Sequence, residues 1–491
     1  MRILHCKLEC KTWEITICAE NNTKSTIKEG AMGQVKIEAL TLKILTDNDF
    51  RYFWISWAEN HIEVGRGAQY GLVDFYTDPE EEFGKQARKK KLKKSLIWMA
   101  KKQRILQCLE DSYPNTIPIS NLLKLCKDKL ADTTTAAVML NDLQNKGFIK
   151  EVEKGFWMRI QSGGADANDE VQIVKNIPKL TSQGQPTMAV ITSLYCEKLA
   201  VDALIDNKTT LLCQIQNRSE RIGRHKIVST KLSKGALSPV NSKISTENSV
   251  TRLLSTFSKV QHVFLVGVGG SVPDYEDASK HVKLGDIVVS LPSHERSCLY
   301  VHCQNIEHAL RTDEYKFNVK HWACADDTLQ KIAEKIRNVT DSSSDTERPW
   351  DIYLEEASER LKAEESSFHR PFINTDRLYY TNPDGTVVKV HHPPGDRNYI
   401  EGRTNVWFGA LSNGMNIAKD GKLRKTFARL YGIKAYDLDT DAILESLEGN
   451  RNESFFIIRG IADYADGSRK EWQPYSAMAA AAYMKTLIMA L

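Results

Sequence analysis

The stretch that most limits how this chain can fold is FFIIRGIADYAD, residues 455–466, an apolar run that ends on carboxylates. Phe455, Phe456, Ile457 and Ile458 have the length and composition of a strand buried on both faces, as in a parallel sheet covered by helices. Ile461 and Ala462 continue the run, so Asp463 falls at or just beyond the strand's carboxyl end, where open α/β sheets place their ligands. A carboxyl group among apolar neighbours there keeps its proton near neutral pH, because desolvation disfavours the charged form, and a protonated acid can donate to a leaving group. The competing structural task is to cap the helix that follows, since Asp is a favoured N-cap residue. Asp466 is better placed for that task.

From Pro186 onward apolar strands alternate with helical stretches, the pattern of a covered parallel sheet. MAVITSLYCEKLAVDALI reads as strand, loop and helix, and VQHVFLVGVGGSVPDY as a strand running into glycines. Gly267, Gly269 and Gly270 let the backbone approach a ligand closely. The spacing is not that of a dinucleotide fingerprint, so the glycines alone name no ligand.

The first half of the chain reads differently. Residues 1–84 alternate as strands, with a turn at Glu59 and Asn60, and form an all-β module. Residues 85–104 carry ten basic side chains and no acidic one. This run, with a linker at 85–102, reads as a solvated connection or as a nuclear-localisation or phosphate-contacting patch. Residues 103–160 read as three amphipathic helices and a hairpin turning at Lys154 and Gly155, with Asp132 and Gly147 bounding the third helix. Residues 161–185 are polar and glycine-containing, as an interdomain linker is, and 338–349 read as an exposed loop.

At 491 residues the chain is long enough for roughly three domains. The formal charge of +4 does not mark the whole protein as a nucleic-acid binder. Ten cysteines without zinc-like spacing read as reduced thiols, so a cytoplasmic location is expected, or a nuclear one through the basic run. No apolar run reaches the ~20 residues of a membrane-spanning helix, so no membrane partner is expected.

Several blocks resemble known families. NNTKSTI, FWISW and IEVGRG resemble the domain named after farnesoic acid O-methyltransferase, over residues 10–78. No glycine-rich loop joins a strand to a helix there, so the module is expected to bind or scaffold rather than transfer methyl groups. Residues 103–160 resemble a winged-helix domain. Its third helix offers Thr133, Thr134, Thr135, Asn141, Asp142 and Gln144, with Lys146 only at its end, which favours a protein partner over DNA.

MAVITSLYCEKLAV, ERIGRHKIV, VFLVGVGGSVPDY, KLGDIVVS, the block from WFGALSNG to AYDLD, and IIRGIADYADGSRKEWQPYSAMAAAAYMK occur in the order found in the nucleoside phosphorylase and nucleosidase superfamily. They look most like the branch that serves as effector domain in fungal and animal immune-type proteins. The resemblance covers residues 186–491 and implies a C-terminal α/β phosphorylase-like fold that breaks purine–ribose bonds. By that resemblance Asp463 protonates the departing purine and Glu197 activates water, although Glu197 also suits a helix's first turn. Val268, Gly269, Gly270 and Ile417 would wall the base, with Tyr436 and Leu438 beside the substrate. Arg459 would lie near the sugar or anion, or pair with a carboxylate under the sheet.

The family's Glu-Met-Glu-Ala corresponds to Asp437, Leu438, Asp439 and Thr440, so Asp439 would hold the ribose hydroxyls with one methylene less. The immune-type branch releases adenine from ATP, which implies cations for a triphosphate. The candidates are Arg221, Arg224, His225 and Lys226, then Arg296, and His369 with Arg370. Residues 390–398, VHHPPGDRN, read as a lid without metal spacing, so neither metal nor cofactor is expected. The expected activity is hydrolysis of an adenine nucleotide, ATP to adenine and ribose 5-triphosphate. The alternatives are a purine nucleoside phosphorylase, or a non-catalytic nucleotide-sensing or DNA-binding adaptor. A homo-oligomer is expected by resemblance.

Overall fold

The computed structural model describes seven strands within residues 1–99 and, from residue 101, all positions except 114, 127–132, 161–170, 174–183, 213–216, 233–238, 293–296, 310–313, 343–347, 363–367, 383–385, 395–401, 415, 416, 418, 419, 439 and 466–469. The chain divides into two compact units, Met1–Met99 and Ala100–Leu491.

In the first unit Arg2–Leu8, Lys11–Cys18, Lys24–Glu29 and Val35–Leu40 pair in sequential antiparallel order. Phe53–Ala58, His61–Arg66 and Val73–Tyr76 form a second, three-stranded sheet, with Ala58 opposite His61.

The second unit opens with a helix over 101–112, the short strand Ile117–Pro118, helices Ile119–Leu125 and Thr133–Asn145, and a hairpin of Ile149–Glu153 with Phe156–Arg159. Gly155 turns the hairpin at φ 80, a left-handed conformation that glycine adopts without strain. Ile105, Leu109, Leu122, Met139, Leu140 and Ile149 fill the space between helices and hairpin.

The remainder is a sheet of twelve strands among the described residues. We number them β1 Val171–Ile173, β2 Met188–Thr192, β3 Asp206–Leu212, β4 Asn217–Ile222, β5 His225–Lys231, β6 His262–Ser271, β7 Ile287–Ser290, β8 Tyr300–Ala309, β9 Glu314–Trp322, β10 Val406–Asn413, β11 Ile433–Asp437 and β12 Ser454–Asp463. The order is β1-β3-β4-β5-β2-β6-β12-β7-β10-β8-β9, and β11 pairs with both β6 and β10. That double pairing closes β6, β12, β7, β10 and β11 into a small barrel.

The sheet is mixed rather than parallel throughout. β2 runs parallel to β5 and β6, and β6 to β12, but β7 is antiparallel to β12 and β3, β4 and β5 form an antiparallel meander. An apolar run shows that a strand is buried on both faces but carries no sign of its direction. β1 lies inside the expected 161–185 linker and pairs with β3.

Seven helices pack around this sheet among the described residues. Two frame the site: α1 (Tyr195–Ala203) follows β2, and α2 (Gln473–Met489) follows β12. α2 is apolar on all sides, and its residues from Tyr475 to Ile488 are buried, as expected of a helix enclosed by the core. A Cβ at Gly460 of β12 would meet the Ser476 carbonyl oxygen at 1.8 Å, so glycine there lets α2 lie directly on the strand.

Candidate active site

The site is built at the carboxyl ends of β2, β6 and β12, which run side by side in the same direction. β6 ends in Gly267, Val268, Gly269 and Gly270, and each glycine makes room for a different neighbour. A Cβ at Gly267 would meet Glu197 Oε1 at 2.6 Å, and one at Gly270 would meet Asp463 Oδ1 at 2.3 Å. At Gly269 it would meet the Tyr436 carbonyl oxygen at 2.9 Å and Arg459 Cβ at 3.3 Å. The glycines therefore admit two carboxylates to one strand end, about three residues or roughly 10 Å of extended backbone apart.

Glu197 lies in the first turn of α1 and is 3% exposed. Its Oε2 accepts from the backbone N–H groups of Ser193 and Leu194, both at 2.8 Å, and its Oε1 from Val268 N–H at 2.8 Å. A carboxylate offers about four acceptor positions, so three fixed donors still leave a place for a water hydrogen. Glu197 is thus both the helix-start residue and a carboxylate tied to the glycine strand.

Asp463 closes β12 and is half-buried. Its Oδ1 accepts from Ala465 N–H at 2.7 Å, a bond made possible because Ala465 turns back at φ 56. A non-glycine residue in that left-handed region costs about 1–2 kcal/mol, and such strain gathers at functional sites. α2 begins at Gln473 with Trp472 at its N-cap, so Asp463 does not cap it.

Arg459 pairs with a carboxylate, one of the two places open to it. It is 5% exposed, and its guanidinium donates to Asp437 Oδ2 at 3.0 Å, Thr440 Oγ1 at 2.6 Å and the carbonyl oxygens of Leu265 and Ile458. Tyr300 OH donates to the other Asp437 oxygen at 2.7 Å. A buried charge needs such a full set of partners, so Arg459 and Asp437 form an internal brace.

The remaining candidates separate. Val268 and Gly270 sit at the glycine strand end, and Tyr436 reaches it with its carbonyl while its hydroxyl donates to Arg424 O at 2.9 Å. Leu438 is 58% exposed, whereas Ile417 is buried against Leu423, Phe427 and Tyr436. Asp439, Arg296 and Asp466 lie outside the described residues.

The expected triphosphate cations are not gathered there. β5 runs parallel to β2, with Ile227 opposite Met188 and Lys231 opposite Thr192, so Arg221, Arg224, His225 and Lys226 cluster at the opposite, amino end. Arg224 donates to the Leu491 carbonyl oxygen at 2.9 Å, and Arg221 is exposed. The physical reason is the β4–β5 hairpin, whose turn lies at the amino end of β5, one strand length from the loop that follows β2. His369 is exposed. Arg370 donates to Gly402 O at 2.6 Å and to Tyr475 OH at 3.2 Å, and packs over the Trp472 and Tyr475 rings.

Beside Asp463 stands a network that the sequence did not single out. The Asp274 N–H donates to His281 Nδ1 at 3.2 Å, which leaves His281 Nε2–H to donate to His392 Nδ1 at 2.9 Å. His392 Nε2 then donates to Asp376 O at 2.9 Å, and Tyr464 OH donates to Asp376 Oδ1 at 2.7 Å. The His281 ring stacks on Tyr464, and burial pushes its pKa down to about 3, so it is neutral. Residues 391–394, read as part of a lid, are thus tied down through His392. Burial also pushes Asp286, before β7, up to about 6. It accepts from Asn405 N–H and Trp407 Nε1, both at 2.9 Å. Among the described residues no group of three or more metal-binding side chains gathers. No helix among them is long and apolar enough to cross a membrane.

Comparison with known proteins gives three kinds of likeness. The family profile described as Farnesoic acid 0-methyl transferase matches residues 8–83. A nucleotide-binding leucine-rich repeat (NLR)-like protein from Hyaloscypha variabilis is 26% identical over 236 residues, 48% of this chain, and the match spans only 22% of that protein's own length. Among solved structures, a 5′-methylthioadenosine/S-adenosylhomocysteine nucleosidase from Neisseria meningitidis, in complex with methylthio-immucillin-A, is 14% identical, covering 62% of this chain and 100% of its own at a TM-score of 0.37. The futalosine hydrolase of Helicobacter pylori is 12% identical, covering 63% and 100% at a TM-score of 0.38. The Campylobacter jejuni 5′-methylthioadenosine/S-adenosyl homocysteine nucleosidase is 11% identical, covering 62% and 100% at 0.37.

Proposed function

We propose that residues 186–491 form an N-glycosidase that hydrolyses the purine–ribose bond of an adenine nucleotide, ATP to adenine and ribose 5-triphosphate, as the effector part of an immune-type protein. The observation that carries this reading is the pair of carboxylates, Glu197 and Asp463, each admitted by its own glycine to the end of β6.

In the reaction, Glu197 takes a proton from a water as its oxygen forms a bond to the anomeric carbon. The bond from that carbon to the purine breaks, and its electron pair moves into the base. Asp463 delivers a proton to the purine ring nitrogen, so adenine leaves neutral. Oδ1 accepts from Ala465 N–H, and the transferable proton is proposed for the other oxygen. Asp439 is proposed to hold the ribose hydroxyls and to face the positive charge that develops on the sugar, an electrostatic role that preorganised carboxylates serve well. Water is favoured over phosphate as nucleophile, because the buried Glu197 carboxylate would repel an anion beside the anomeric carbon.

A second reading has its own support. The cations at 221–226 lie at the other end of the sheet, which favours a substrate without a triphosphate, such as an adenine nucleoside. The effector reading draws on the likeness to the NLR-like protein. The β module is proposed to bind a ligand or partner, residues 103–160 to act as a winged helix toward a protein partner, and the whole to form a homo-oligomer in the cytoplasm.

The test is to incubate the full chain with ATP, AMP and adenosine, with and without phosphate, and to follow free adenine by chromatography. Phosphate-independent release that disappears in Asp463→Asn is expected. Release that needs phosphate would make the protein a phosphorylase, and no release from any of the three would sink the reading.

A further inference from the structure

The helix α1 begins without the usual help. Its N-cap is Leu194, whose side chain accepts no hydrogen bond, and the cap is supplied by Glu197 itself through Leu194 N–H. Such helix starts fray unless tertiary contacts hold them. Here the group that caps the turn is also the group proposed to take a proton from water, so chemistry would loosen the turn that carries it.

The contact that holds the turn comes from the helix–hairpin segment 101–160. Tyr195, the first residue of α1, lies under the Arg159 guanidinium, 5.0 Å from its carbon to the ring centre. Tyr113 meets the same ring edge-on at 5.0 Å and 79°. Arg159 is 1% exposed and is fixed by Glu110 Oε1 at 3.3 Å and by the carbonyl oxygens of Phe148 and Ile160 at 2.8 and 2.7 Å. Nearby, Lys231 Nζ at the carboxyl end of β5 donates to Asp111 O at 2.8 Å and Leu232 O at 3.2 Å. Tyr113 belongs to the same hydrophobic core as β2, α1 and β12. These contacts all fall at the end of the sheet that bears the site.

We infer that residues 101–160 are a positioning element for the active-site base: Arg159 and Tyr113 clamp Tyr195, and the clamp holds the 193–197 turn so that Glu197 stays on Val268 and the attacking water. Arg159, Tyr113 and Tyr195 are positioning residues, since they act through Glu197. A cation over an aromatic face and an edge-on ring pair suit this role, because both fix ring orientation as well as burying area. The inference rests on the nucleosidase reading for its chemical consequence, but not for its mechanical one. Anything that binds 101–160 and shifts Arg159 would reach the chemistry by this route.

The test uses the full chain and two readouts. Amide hydrogen exchange is followed in peptides covering 188–200 and, as a folding control, 454–463. Adenine release is measured for kcat and KM. Tyr195→Leu and Arg159→Met are expected to speed exchange at 193–197 about tenfold and to lower kcat about tenfold with KM within about twofold, while the control peptide is unchanged. Tyr195→Phe keeps the ring and should match the parent in both readouts.

Parent-like exchange at 193–197 in both disrupted variants overturns the clamp, and so does an unchanged kcat beside faster exchange. A rise confined to KM would also overturn it, since the clamp predicts a defect in the chemical step. Should Asp463→Asn leave release unaltered, the nucleosidase reading fails instead, and the exchange data alone then decide whether the turn is clamped.

Discussion

At the carboxyl ends of β2, β6 and β12 two acids are seated on glycines, whereas at the amino ends of β5 and β6 stand Arg221, Arg224 and the imidazoles of His225 and His262, whose pKa values burial lowers. Arg224 and His262 have partners within the protein. Arg224 holds the last carbonyl of the chain, and His262 Nδ1 lies 2.8 Å from Ser454 Oγ. At the other end backbone N–H groups reach both oxygens of Glu197 and Oδ1 of Asp463. Cations paired within the fold serve structure, whereas acids gathered at the carboxyl ends of strands stand where open α/β sheets place their ligands. The contrast predicts which end responds when a side chain is changed.

The largest response should come from Asp463→Asn, which leaves shape intact but removes the proton, with adenine release falling about 10³-fold. Parent-like release in that variant would leave the carboxyl end without a function. Glu197→Gln should cost about 10²-fold in kcat, because the amide still accepts the N–H bonds at one atom but cannot take a proton. Added phosphate should not restore the loss, and restoration would favour the phosphorylase alternative.

A third response concerns His281, which shares the site end through its stack on Tyr464. Its pKa falls from an ordinary 6.5 to about 3 in the folded protein through burial, with His392 and Lys283 adding to the shift and Asp274 opposing it. Asp376 and Tyr464 face the same cluster across His392. The unfolded chain therefore binds the extra proton first. The stability that the neutral ring contributes is complete above pH 6.5 and is lost as pH falls from there toward 3, at up to about 1.4 kcal/mol per pH unit. Asp286 works with the opposite sign between 3.8 and about 6, so the term is isolated by comparing denaturant unfolding of the parent and His281→Gln across this range. Equal slopes in the two would remove His281 as the acid-sensitive group.

The smallest response is expected at the amino end. Arg221→Ala, Arg224→Ala and His225→Ala together should leave KM for ATP within about twofold, as surface changes away from a site do. A tenfold rise in KM would return these cations to the substrate's phosphates.

The sequence was most legible where the information is local. The run from Phe455 to Ile458 announces a buried strand, and Asp463 stands at its end because apolar residues stop there. The glycines of β6 were visible, but the reason for each was not, since Glu197 and Asp463 meet them from distant parts of the chain. The density of cations at 221–226 does not reveal that they surround a hairpin turn at the end of the sheet opposite Glu197 and Asp463. The Arg459–Asp437 brace, 22 residues apart in sequence, was open to either reading until its partners were known. Nothing in the 101–160 stretch by itself points to Tyr195.

The pairing of β6 with β12 slips by one residue near its end: Gly269 faces Ile461 but Gly270 faces Asp463. Along an undisturbed strand Arg459 and Asp463, four residues apart, would project from one face. The bulge breaks that parity, so Arg459 borders Gly269 while Asp463 borders Gly270, adjacent positions with opposed directions. One inserted residue thus sets the arginine and the aspartate against different glycines, so the two opposite charges of β12 are seated separately.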